Sequence, residues 1–245
     1  MKCANWMVVG LVGLLGAGTA TAGVITASDV ATGSASASAG GATFTAYANV
    51  QATTTSTLAT KNIPGVGTGL GVNGNGNTEI DWYGGNGVSE MIRVQLGEAS
   101  LINDLTVGLL FDGPEYSDYL ERAVFRANFA DGSSGTFTLA ALFGGGYSSS
   151  AWGSGGGSWV SSGLVSGGSG LWSNVDPFGG RAVLSFDMYS TAGVCGTTSA
   201  CSDQSDFVFR SMRTTAVPEP GTLALLGVAL AGMGFVRRRS QKTNA

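Results

Sequence analysis

The chain has 245 residues, enough for one ordinary domain with flanking segments, and it contains no histidine. That excludes a Ser-His-Asp triad and denies zinc its usual nitrogen ligand. Only 11% of residues are charged, with 12 Lys and Arg against 16 Asp and Glu, a balance that does not suit nucleic-acid binding.

Residues 1–22 read as a secretory signal peptide. Lys2 supplies the positive start, Trp6 to Gly16 the apolar stretch, and Ala20-Thr21-Ala22 a small-x-small cleavage site. Gly23 is then the mature N-terminus, and Cys3 is lost with the leader. Residues 23–78 are rich in Ala, Gly, Ser and Thr, with Asp29 and Lys61 as the only charges before Glu79. Thr43 to Val50 alternates like a strand. Pro64 to Gly76 is punctuated by glycine, and Asn73-Gly74-Asn75-Gly76-Asn77 must be loop. Composition predicts low order here, with an edge strand to offer the domain that follows.

From Glu79 to residue 215 the pattern changes to short runs of period two. Ile92, Val94 and Leu96 face one way, with Arg93 and Gln95 opposite. Leu105 to Phe111 is an apolar run suited to a buried strand. Ala123, Phe125, Ala127 and Phe129 share a face. Asp131-Gly132 follows, and then Thr136 to Leu142 with Phe137 and Leu139 on one side, which predicts a hairpin. Leu184, Phe186 and Met188 alternate with polar residues, as do Phe207 and Phe209 with Val208 and Arg210. The fold class is therefore all-β, a sandwich or jelly roll, with an N-terminal signal helix and a single C-terminal hydrophobic helix outside it. A Gly/Ser-rich insertion over 144–180 holds three tryptophans, too many for a linker.

The candidate chemistry is sparse. Asp112, Glu115 and Asp118 head the densest acidic stretch, which runs to Glu121 and is set at a strand end. Such carboxylates can hold calcium, although the spacing fits no EF-hand, and a solvated acidic loop is the plainer reading. Asn75, Asn77, Glu79 and Asp81 form a second oxygen-rich patch. A glycosidase pair would need two carboxyls about 5–9.5 Å apart across a sugar, which spacing in sequence does not supply. Trp82, Trp152, Trp159 and Trp172 lie in Gly/Ser settings, where a ring can stack on a sugar or plug the sandwich core. Cys195 and Cys201 are an even pair in a chain bound for an oxidising compartment. They predict a disulfide closing a short loop, worth about 2 kcal/mol in the chain-entropy picture. Metal ligation is the alternative, but no histidine or further cysteine exists to complete a zinc site.

Residues 216–245 are the most informative. Gly221 to Val236 carries no charge and is apolar on every face, unlike a surface helix. As a helix it would span about 24 Å, short of a hydrocarbon core of about 30 Å, a gap that bilayer thinning or arginine snorkelling covers. Arg237, Arg238 and Arg239 place the C-terminal side in the cytoplasm. Pro218 and Pro220 stop the helix from running backwards and leave Pro218-Glu219-Pro220 extended and accessible. Removing Lys2, Arg237, Arg238, Arg239, Lys242 and Glu219 from the totals leaves 15 acids and 7 bases in residues 23–217, a net of −8.

This order of Val217-Pro218-Glu219-Pro220-Gly221, apolar run and arginine cluster resembles the PEP-CTERM sorting domain of Gram-negative bacteria. The resemblance implies recognition by an exosortase, a membrane-bound processing enzyme. It further implies a transient stay in the inner membrane and release to the cell surface or extracellular matrix, often where exopolysaccharide is made. In the body the residues themselves point to no catalytic side chain and to no cofactor, with calcium the one candidate ion. The expected function is a non-catalytic exported protein, with an exopolysaccharide-binding module as the alternative and a polysaccharide-active enzyme as a distant third.

Overall fold

The computed structural model describes residues 22–63, 67–74, 77–83, 88–111, 118–142, 146–150, 159–161, 170–195, 205–217 and 227. The chain divides into two compact units, Thr21–Val217 and a second made of Met1–Ala20 with Pro218–Ala245. The signal helix expected from the sequence lies outside the described residues, and of the expected C-terminal hydrophobic helix only Gly227 is described. Among the described residues no helix is long and apolar enough to cross a membrane.

The larger unit is all-β. Its first strands are β1 (Ala22–Thr26), β2 (Ser36–Ala39), β3 (Ala42–Tyr47), β4 (Leu58–Ile63), β5 (Gly67–Val72), β6 (Ile80–Tyr83) and β7 (Val88–Ser89). The long β8 (Met91–Gly108) follows, then β9 (Asp118–Leu120), β10 (Arg122–Phe129), β11 (Ser134–Leu142), β12 (Gly146–Ser150) and β13 (Trp159–Ser161). The last are β14 (Trp172–Val175), β15 (Val183–Ser190), β16 (Val194–Cys195) and β17 (Ser205–Ala216). Fifteen of them join one antiparallel sheet, and β9 and β16 form a separate pair.

β8 organises the sheet. Its first half pairs with β3 along one edge and β15 along the other. Its second half exchanges those partners for β17 and β14. The strand is thus common to two arms. One runs β12-β11-β10-β15-β8 with β3 and β2 beyond, and the other carries β17, β14, β13 and β5. Side chains of the two arms meet in a shared core. Phe44 of β3 packs on Phe209 of β17 with ring centroids 5.4 Å apart, and Phe125 of β10 meets Trp159 of β13 at 5.7 Å and Phe207 of β17 at 6.1 Å. The packing is sandwich-like, with alternate residues of each strand turned inward.

The expected hairpin is present. β10 and β11 pair with Phe125 opposite Phe137, joined through Asp131-Gly132. Gly132 takes φ +82°, a value that suits glycine, and the Asp131 carboxylate accepts the Ser133 N–H. Two readings of the sequence differ from the structure. The runs Ile92–Leu96 and Leu105–Phe111 belong largely to a single strand, because backbone pairing continues through Gly97 to Ser100 while the partners change. The span 23–78 contributes five strands rather than one at an edge. Its small side chains fit between layers: Ala42 and Ala46 are buried beside Phe44 in the core.

Candidate functional site

The strand period and one register bring three carboxylates together. Glu79 and Asp81 are two residues apart, so they share a face of the extended chain. Asp206 of β17 lies directly opposite Asp81 of β6, and directly opposite residues in an antiparallel pair project to the same side. Ile80 and Phe207, opposite each other in the same ladder, are both fully buried in the core. The polar face therefore gathers Glu79, Asp81 and Asp206, each offering an oxygen within 4.8 Å of the others.

Neighbouring elements hold this cluster in place. Val72 at the end of β5 donates its N–H to the Glu79 carbonyl at 2.8 Å. Gly71 runs so close that a Cβ there would sit 2.3 Å from the Thr78 carbonyl oxygen, which accounts for glycine at that position. Thr78 itself adopts φ +61°. Lys61 of β4 reaches Glu79, Nζ to Oε1 2.6 Å, and donates to the Asn77 carbonyl at 3.3 Å. The Asp81 N–H points toward Glu90 Oε2 at 3.3 Å, and the Glu90 N–H donates to the Asp81 carbonyl at 2.9 Å.

Asp81 is the unusual member. It is 0% exposed, and neither of its carboxylate oxygens has a hydrogen-bond partner. Burial, helped by the charge of Glu79, pushes its carboxyl up to about 7, against a pull downward from Lys61. Two like charges about 4.8 Å apart repel by roughly 3 kcal/mol at an effective dielectric constant of about 20. Lys61 is held above its usual value by its hydrogen bond to Glu79, and the charges of Glu79, Asp206 and Asp81 add to that against the cost of burial. Lys61 hydrogen-bonds Glu79 and leaves both Asp81 carboxylate oxygens without a hydrogen bond.

The other sequence candidates separate. Trp172 is 0% exposed and donates its indole N–H to the Leu110 carbonyl at 2.8 Å, and Trp159 is 3% exposed against Phe125. Both are core residues with no ring face open to a sugar, because the interior of the sheet takes them up. Trp82 on β6 is half-buried, and Trp152 lies outside the described residues. Asp112 and Glu115 lie outside them too. Asp118 is in β9, but its side chain is outside the described set. Glu121, the last acid of that stretch, is buried and accepts the Phe111 N–H. Cys195 is in β16, while Cys201, and with it the expected disulfide, lies outside the described residues. Ala22 and Gly23 open β1, and Ala20 is outside. Pro218, Glu219, Pro220, Arg237, Arg238 and Arg239 are also outside.

Beyond the body, residues 216–239 match the PEP-CTERM protein-sorting motif. The chain carries a PEP-CTERM sorting signal. No curated protein and no solved structure matches it. The PEP-CTERM motif begins at Ala216, the last residue of β17, where Ala216 still pairs with Ser100. Val217 donates a final N–H to the Ala99 carbonyl at 2.8 Å, and Pro218, which has no N–H, cannot extend the ladder. β1 pairs with β17 so that Ala22 lies opposite Thr215. The body thus starts and finishes side by side, at the edges of the two segments read as leader and sorting signal.

Sequence reasoning found Glu79 and Asp81 as an oxygen-rich patch but missed Asp206 and Lys61. The only local signal for Asp206 is that it precedes the alternating Phe207 and Phe209, which puts it on the polar side of that strand.

Proposed function

We propose that the protein is exported, held at the inner membrane by its C-terminal apolar run, and processed there by an exosortase-type enzyme. The β-sandwich body, residues 23–217, then reaches the cell surface or extracellular matrix and serves there without catalysing a reaction. The observation that carries this reading is the PEP-CTERM motif at residues 216–239. A cleavable leader at the opposite end of the chain supports it, since the body must be translocated before the motif can be reached. The pairing of β1 with β17 adds physical support. The first and last strands of the body are thus neighbours at the points where the two removable segments join it.

The reading is tested by replacing Pro218, Glu219 and Pro220 with alanine in the producing organism. The expected result is accumulation of full-length protein in the membrane fraction and its loss from the surface and medium. Unchanged release of the variant would overturn the processing step.

A further inference from the structure

We propose that Glu79, Asp81 and Asp206 bind a calcium ion. This is independent of the sorting reading, because it concerns a site inside the folded body. Three features carry it. The donors are all oxygens, which suits a hard cation and not zinc or copper. Their spacing fits one ion: oxygens bound to calcium at about 2.4 Å lie no more than about 4.8 Å apart across it, and the three carboxylates approach one another within 4.8 Å. Most telling is Asp81, whose carboxylate is aimed into the cluster, fully buried, with neither oxygen hydrogen-bonded. Buried carboxylates are paired or coordinate metals, because an isolated one is costly.

Lys61 does not satisfy this requirement. Its ammonium is committed to Glu79 and the Asn77 carbonyl and makes no hydrogen bond to Asp81. Its side chain is 36% exposed on a flexible stem, so it can turn to solvent when an ion arrives. The Asn77 carbonyl it leaves becomes a further oxygen near the cluster. Asp206 is half-buried, so the cluster keeps some contact with solvent. Calcium accepts six to eight oxygens in irregular geometry, whereas magnesium requires a near-ideal octahedron at about 2.0–2.1 Å and gives up water reluctantly.

The test is isothermal titration of the full chain in mild detergent, stripped of metal by a chelator, with calcium chloride. One site per chain is expected with Kd of about 0.1–1 mM, the range of extracellular calcium modules. Calcium at roughly ten times Kd should raise Tm by about 3–6 °C, reversibly with chelator. Asp81→Asn and Asp206→Asn should each weaken binding at least about tenfold, the size of effect seen at metal sites when a supporting group is lost. Both should keep a cooperative melt in chelator, and Asp131→Asn, in a distant turn, should bind as the parent does. Absence of both heat and Tm shift in the parent chain overturns the proposal. So does unchanged affinity in the two site variants, which would move the ion elsewhere, and so does binding of magnesium without calcium.

Discussion

Replacing Asp81 by asparagine keeps the shape of the side chain and removes one charge from a buried, oxygen-rich corner. In the folded protein the Asp81 carboxyl titrates at about 7, raised mainly by burial and then by Glu79, against an ordinary value of 3.8. Between those two values the folded state holds a proton that the unfolded chain has released. Stability therefore falls as pH rises from about 4 to about 7 and is level above that window. At about 1.4 kcal/mol per pH unit the loss is at most about 4 kcal/mol. Glu79, Asp206, Glu90 and Lys61 face the same space and are present in both proteins, so the comparison isolates Asp81. In urea denaturation with chelator, Asp81→Asn should exceed the parent by up to about 4 kcal/mol at pH 7.5, and the gap should close near pH 3.5. Added calcium should narrow the gap at pH 7.5, because the ion stabilises only the parent. A variant less stable than the parent at pH 7.5, or a gap of the same size at both pH values, would refute the reasoning.

Two further outcomes follow from other ion pairs. Asp187 of β15 is buried between Arg93 of β8 and Arg126 of β10, Oδ1 to Nε 2.7 Å and Oδ2 to Nη2 2.6 Å, with each arginine directly opposite it in register. Asp187→Ala should lower unfolding free energy by about 1–2 kcal/mol in urea titration, because it removes two charge-assisted pairs whose guanidinium partners, 36% and 39% exposed, can turn toward water. Asp131 in the β10–β11 turn is held down at about 2 by hydrogen bonds from the Ser133 hydroxyl, the Ser133 N–H and Arg181. A depressed carboxylate stabilises the fold above its ordinary value of 3.8, and that contribution is lost as pH falls toward 2. Amide exchange at Ser133 should accelerate relative to the sheet centre across that acid window in the parent, and the step should be absent in Asp131→Asn.

Much of the sheet was legible because burial alternates along its strands. Ala123, Phe125, Ala127 and Phe129 announce an inward face from the residues alone, and Asp131-Gly132 marks the turn. The 23–78 span was not legible, because hydrophobic alternation is weak where the inward residues are Ala42 and Ala46, and where Gly69 leaves room for the Val208 side chain and Gly71 for the Thr78–Glu79 backbone. A Cβ on Gly69 would meet Val208 at 2.3 Å, a constraint that only the folded arrangement reveals. Ile92–Leu96 and Leu105–Phe111 read as separate runs, whereas the backbone of β8 exchanges partners between them without breaking. At the acidic cluster, the spacing of Glu79 and Asp81 is local and visible. The contribution of Asp206 depends on the register of β17 against β6, and that of Lys61 on β4 lying beyond β5. Neither register is written in the neighbourhood of either residue. For Trp159 and Trp172 the Gly/Ser-rich setting left sugar stacking and core packing both open, and burial in strands of the core decides for packing.

The sorting account rests on two cuts, one at each margin of the β1–β17 pair. Mass spectrometry of the protein recovered from the surface or medium of its producing cells measures both at once. The account predicts an N-terminus at Gly23 and a C-terminus that has lost the apolar run together with Arg237, Arg238 and Arg239. An extracellular protein that still yields a peptide containing those three arginines would contradict it.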